Sequence, residues 1–155
     1  MTDPQNPRQG AHFHAADLGP ASGWKDYRYF HPKMGREVRG KFFLREPLAL
    51  TGAEISINSL PPGAAIPFYH KHRENEEIYF FLGGSGEMQV DGEVIPVREA
   101  SRESAKSPPG SAGGERTWRV TGGESLTYLV MQVKAGSQAI GTIDDGERID
   151  KPVEW

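Results

Sequence analysis

The chain contains no cysteine. Disulfides, zinc ribbons, iron–sulfur clusters and thiol nucleophiles are excluded together, and a reducing, cytoplasmic setting is expected. An excess of charge of one sign is also missing: 18 Lys and Arg stand against 21 Asp and Glu, and no basic block could follow a phosphate backbone. Nucleic acid is therefore not an expected partner. No apolar run approaches the ~18 residues of a membrane span. The start Met1-Thr2-Asp3-Pro4 has neither the basic residues nor the apolar stretch of a signal peptide. A soluble protein with no membrane partner is expected. Helical periodicity is absent over any window of useful length.

Turn-forming residues are abundant. Gly (19) and Pro (12) make up one residue in five of the 155, against about 12% in average composition. With 36% hydrophobic residues and a length inside the roughly 100–200 residues of one domain, the expectation is a single turn-rich, all-β domain. Strand-like stretches fall at 41–45, 53–60, 65–72, 77–82, 86–90, 93–97, 117–120 and 126–133, separated by Pro61-Pro62-Gly63, Gly83-Gly84, Asp91-Gly92, Pro108-Pro109-Gly110 and Gly122-Gly123. Such spacing belongs to a sandwich or barrel. Asp91-Gly92 is a strong hairpin signal, because a two-residue type I′ turn needs positive φ at both positions.

The expected division is an N-terminal arm over 1–37, a barrel over 38–136 and a C-terminal tail over 137–155. The arm reads as disordered at first, then as pinned to a sheet by the aromatics Trp24, Tyr27, Tyr29 and Phe30. The polar, Gly- and Pro-rich stretch 98–114 reads as a loop or a loosely attached edge. Trp155 is expected to dock on the barrel or on a partner subunit, and Phe68, Tyr69, Tyr79, Phe81 and Trp118 to fill the core.

The informative stretch runs from Gly63 to Gly84. Residues two apart on a strand share a face about 6.6–7 Å apart, so His70 and His72 can converge on one ion. A carboxylate follows, Glu76 or Glu77. Two imidazoles and one carboxylate form a facial set with open positions, suited to Fe(II) and tolerated by Zn, Mn, Ni and Co. A bare His-x-His is more often a surface pair on an edge strand, which makes the following Glu, apolar strand and Gly turn decisive. His12 and His14 repeat the spacing in a segment without strand character, and His31 precedes a proline; none of the three is expected to be a ligand. Gly83-Gly84-Ser85-Gly86 lacks the strand–loop–helix context of a phosphate loop, and no Gly-x-Ser-x-Gly elbow supports a nucleophilic triad.

At these residues the sequence resembles the cupin superfamily, as a small single-domain cupin whose second motif is degenerate. The first cupin motif runs Gly, five residues, His-x-His, three or four residues, Glu, six residues, Gly. Here the gap after Gly63 is six residues, and the rest matches with either Glu76–Gly83 or Glu77–Gly84 as the closing pair. Glu77 is preferred because in similar cupins the ligand directly precedes the apolar strand, which here begins at Ile78. The resemblance covers roughly residues 50–134. It implies a double-stranded β-helix, the cupin jelly-roll barrel, a homodimer, and a divalent metal (Fe, Mn, Zn or Ni) held by His70, His72 and Glu77.

The second cupin motif, Pro-x-Gly, two residues, His, three residues, Asn, is not matched. Anchored on Pro108-Pro109-Gly110, Gly113 occupies the histidine position; anchored on the downstream strand, Arg116 does, with Val120 in place of Asn. No histidine follows His72. An arginine near the cation would oppose metal binding, but turned inward it could pair with an anionic substrate group. Arg116 and Tyr79 are thus the candidate substrate-orienting residues, and no catalytic residue is assigned. Two functions compete: a metal-dependent cupin acting on or binding a small organic molecule by oxygenation, isomerisation or lyase chemistry, and a non-catalytic metabolite-binding or regulatory cupin without tightly bound metal, its anion held by Arg116.

Overall fold

The computed structural model describes residues 4–100, 102–105, 114–138 and 144–155, with the backbone alone for 102–105. Twelve strands are present among them: β1 Arg8–Gly10, β2 Phe13–Ala15, β3 Arg28–His31, β4 Arg36–Arg39, β5 Lys41–Phe43, β6 Ala53–Leu60, β7 Asn75–Gly83, β8 Ser85–Val90, β9 Glu93–Arg98, β10 Arg102–Ala105, β11 Arg116–Val120 and β12 Leu126–Lys134. One short 3-10 helix, Ala21–Asp26, is the only helical element among the described residues. The all-β expectation holds. Asp91 and Gly92 both take positive φ at the tip of the β8–β9 hairpin, as their turn requires.

Two antiparallel sheets face each other. The larger has the order β10-β7-β12-β6-β5, the smaller β11-β8-β9. Their inward rows form one core of Tyr79, Phe81, Met88, Val97, Trp118, Val120, Leu126, Tyr128 and Val130. A hydrogen bond joins the sheets inside this core, Trp118 Nε1 donating to Tyr128 Oη at 2.8 Å. The indole and phenol are thereby satisfied where burial would otherwise penalise them.

The outer face of the larger sheet is apolar as well and is covered by the N-terminal segment. Trp24 packs with Leu44 and Ile57, supported by Tyr27, Phe42 and Leu129. Tyr27 lies 5.1 Å from Phe42 and Tyr29 lies 4.8 Å from Phe43, so the aromatic cluster does pin this segment to the sheet. Phe30 is the exception and is exposed.

Four local expectations are corrected. The stretch 65–72 is not a regular strand but touches β11 through two isolated bridges, Ala65–Arg119 and His70–Arg116. Five residue steps on one side oppose three on the other, and Pro67 has no N–H to donate, so the intervening residues loop outward. Phe68 and Tyr69 are accordingly exposed instead of core. Next, the first residues form a hairpin of β1 and β2, which places His14 on a strand, although every residue of both strands is exposed. Finally, Trp155 is fully exposed and does not dock on this barrel. The edge strand β10 pairs with β7 inside the stretch read as a loop or loose edge; Pro108, Pro109, Gly110 and Gly113 lie outside the described residues.

Gly40 joins β4 to β5 with φ 72° and hydrogen-bonds to both Tyr27 and Ser59 backbones. A Cβ there would be driven into the Ser59 carbonyl oxygen, whereas at Gly63, φ 75°, it would meet open space. Gly63→Ala should therefore cost about 1–2 kcal/mol for the left-handed backbone alone. Gly40→Ala should cost clearly more, which urea denaturation of the two variants will compare.

Candidate metal and anion site

Glu77 is the inward residue at the start of β7, in phase with Tyr79 and Phe81, and is buried at 3% exposure. Arg116 opens β11, facing it from the other sheet, and is fully buried. The irregular segment then brings the histidines in. His70 exchanges two backbone hydrogen bonds with Arg116, at 3.1 and 3.0 Å. His72, two residues on, turns to the same carboxylate, so the ligating atoms of His70, His72 and Glu77 all lie within 4.8 Å of one another.

The carboxylate organises these contacts. Oε1 lies 2.9 Å from His72 Nε2, and Oε2 lies 3.3 Å from His70 Nε2. Oε2 also accepts from Tyr79 Oη at 2.5 Å, from Arg116 Nε at 2.9 Å and from Arg116 Nη2. Arg116 Nη1 donates to the Gly114 carbonyl at 2.7 Å. Burial alone would raise the Glu77 pKa, but the hydrogen bonds from His70, His72 and Tyr79 and the Arg116 charge outweigh it and hold the group well below the usual carboxylate range. The Tyr79 phenol is pushed up, by burial first and then by the adjacent carboxylate, and stays a donor.

All the residues singled out for chemistry except Glu76 thus meet at one point. Glu76 is half-buried on the opposite phase of β7 and takes no part. His12 and His14 are exposed, and His31 accepts from the Met34 amide. Arg116 stands beside His70, bridged to it from β11. Its guanidinium, however, is directed at Glu77, Tyr79 and Gly114. Sequence reasoning missed that pairing, and also missed Lys41 on β5, a lysine in the phase that faces the barrel interior. The only cue to Lys41 was its two-residue spacing from Phe43, which puts both on one strand face.

A divalent cation fits the donor set. The carboxylate is kept ionised, as ligation requires, and its Oε1 accepts from His72 alone. Protein groups by themselves leave the buried His70 Nδ1 without a partner. Three donor atoms are available, with the Arg116 guanidinium beside them. Two cavities among the described residues lie away from this group. One, of about 260 Å³, lies against outward residues of β8 and β11, and the other, of about 1070 Å³, lies between the N-terminal segment and β5.

Among solved structures, a cupin protein from Bacteroides fragilis is 33% identical, with 90% of this chain and 99% of that one covered and a TM-score of 0.68. A predicted oxalate decarboxylase from Thermotoga maritima is 22% identical over 76% of this chain and 99% of its own, with a TM-score of 0.57. A sugar phosphate isomerase of a cupin superfamily from Silicibacter pomeroyi is 20% identical over 70% and 69%, with a TM-score of 0.53. At those identities the last two share the fold alone. No protein-family model matches the chain, and no curated protein matches it.

Two predictions follow from the buried pair. A carboxylate with a depressed folded-state pKa contributes stability that is complete above its unfolded value, near 4.5, and that is lost as pH falls below it. Urea denaturation of the metal-free protein should show stability falling below about pH 4.5, at up to about 1.4 kcal/mol per pH unit. Glu77→Gln should flatten that limb. Removing only the cation, as in Arg116→Met, strands a buried carboxylate and should cost about 3–5 kcal/mol. The double variant Arg116→Met with Glu77→Gln should recover much of that loss at pH 7.

Proposed function

Because this chain belongs to the cupin superfamily, whose double-stranded β-helix it shares, we propose that it holds one divalent metal ion through His70, His72 and Glu77 and presents it to a small organic molecule. The observation that carries the proposal is the convergence of three donor atoms within 4.8 Å beside the apolar core. The imidazoles are half-buried and the carboxylate is buried, so solvent reaches the histidine side chains and not the anion. Bound there, the ion would supply Lewis acidity or a dioxygen site.

The chain's own groups have separate roles. Tyr79 and Arg116 hold Oε2 of Glu77, which leaves Oε1 turned toward His72. They are positioning residues acting through Glu77. Trp118 stacks edge-on against both His70, at 5.7 Å, and Tyr79, at 5.3 Å, which limits ring rotation and excludes water from the inner side. Iron, manganese, zinc and nickel are all compatible with two nitrogens and one oxygen.

A second reading is a regulatory or binding cupin without tightly held metal. Arg116 favours it, since a permanent cation beside the carboxylate opposes a divalent ion. The proposal includes a cytoplasmic homodimer with the division into arm, barrel and tail given above. The lack of cysteine supports the compartment, and exposed Ile149, Val153 and Trp155 give the tail a reason to seek a partner surface. No helix among the described residues is long and apolar enough to cross a membrane.

Elemental analysis of protein purified without a His-tag should find close to one equivalent of a transition metal, lost in the His70→Ala, His72→Ala double variant. A trace amount, unchanged in that variant, would favour the second reading. Arg116→His, which removes the opposing charge and offers a third imidazole as a fourth donor, should tighten Co(II) binding by about tenfold or more, following the loss in affinity that a missing supporting group typically causes.

A further inference from the structure

The wall of the barrel interior carries a second polar group, distant in sequence from the metal-type motif. Through register, Lys41 on β5 pairs with Asn58 on β6, Asn58 with Tyr128 on β12, and Tyr128 with Phe81 on β7. The next rows on the same face are Phe43, Ser56, Val130 and Tyr79, then Glu54, Gln132 and Glu77. Lys41 and Glu77 therefore face one interior. Lys41 Nζ donates to Asn58 Oδ1 at 2.9 Å and to Ser56 Oγ at 3.4 Å, and sits 4.7 Å from the centre of the Phe43 ring.

Asn58 and Ser56 are buried at 4% and 3% exposure, and the Asn58 amide is fixed by donating to the Ser56 carbonyl at 3.1 Å and hydroxyl at 3.0 Å. That arrangement turns Oδ1 toward the ammonium. No carboxylate of the described residues lies in ion-pair contact with Lys41, whereas Arg116 and Glu77 are paired with each other. Two of its three N–H donors are used, both by neutral oxygens. A buried polar cluster of this kind costs desolvation that apolar side chains would avoid. Its compensation is expected from a ligand.

We infer that Lys41, oriented by Asn58 and Ser56 above Phe43, anchors the anionic group, a carboxylate or phosphate, of the small molecule that the barrel binds. The inference rests on the proposed reading for the location of the reacting end, at His70, His72 and Glu77. Lys41 takes the part for which Arg116 is unsuited, because the Arg116 charge is already paired with Glu77. Burial lowers the Lys41 pKa to about 8, with the more distant charges of Glu77 and Glu54 opposing the fall, so the amine remains mainly cationic at neutral pH. It is half-buried and therefore still reachable.

The test uses the full-length protein, metal-free and loaded with Co(II), titrated calorimetrically with malonate and, separately, with inorganic phosphate. Wild type should bind one of the two at millimolar concentration or better; which one distinguishes a carboxylate from a phosphate substrate. Lys41→Met should weaken that anion by about tenfold or more, the loss expected for one charge-assisted hydrogen bond. Lys41→Arg should retain part of the affinity, which a purely structural role for the side chain would not predict. Co(II) absorption, which reads the metal site alone, should be the same in all three proteins. Equal anion affinity in wild type and Lys41→Met, or no binding of either anion by wild type, overturns the inference even if Co(II) is bound. Loss of Co(II) binding with Lys41-dependent anion binding retained overturns the metal reading instead.

Discussion

The buried contact between Arg116 and Glu77 is the constraint to which the remaining geometry is fitted. Each residue starts or nearly starts a strand, one in each sheet, and each is enclosed by the barrel. An ionised pair in such a place is tolerable only if both partners are fully hydrogen-bonded. Tyr79 and the Gly114 carbonyl supply the missing partners. With the carboxylate fixed, the two histidines have a single anion to face, and the irregular 65–72 segment is held in the one register that lets them do so. The polar centre thus closes one end of the core, while the Trp118 and Tyr128 hydrogen bond spans its middle.

This arrangement changes what an arginine means at the position where the family pattern has histidine. Read from charge alone, Arg116 is either a repulsive neighbour of a cation or a free hand for a substrate anion. Paired with Glu77, it does a third thing: it keeps the carboxylate ionised and aimed, at the cost of positive charge near any metal. For the proposed metal, a three-ligand site of reduced affinity would be the physical consequence. On the proposed reading, a substrate anion would need a different cation, and Lys41 is the interior one without a carboxylate in contact.

Much of the fold was legible because its signals are local. The Asp91-Gly92 turn, the alternation of 53–60 and the long apolar stretch before Gly83 each state a strand boundary within a few residues. The segment 65–72 was not legible as irregular, since an apolar run over 65–69 followed by His70-Lys71-His72 imitates a strand and only the two-residue slip against β11 reveals otherwise. The N-terminal hairpin was missed for the opposite reason: its strands are too short and too exposed to leave a periodic hydrophobic trace. The outward position of Trp155 was equally unreadable, because an apolar residue states a preference for burial without saying whether a surface is within reach.

By itself, the sequence determined the class of the protein and singled out a candidate metal-type set, because both rest on spacing: turns at strand intervals, and His70, His72 and Glu77 at offsets short enough to be brought together. Tertiary structure decided the electrical state of that group. Whether Arg116 faced Glu77, a ligand or solvent depended on how β11 and β7 oppose each other across the core, a relation between residues 39 positions apart. Lys41 likewise acquires a role only when the pairing of β5, β6, β12 and β7 carries it onto the inner wall with Asn58 and Ser56. Charges act through space, and spacing along a chain fixes that space only within one element.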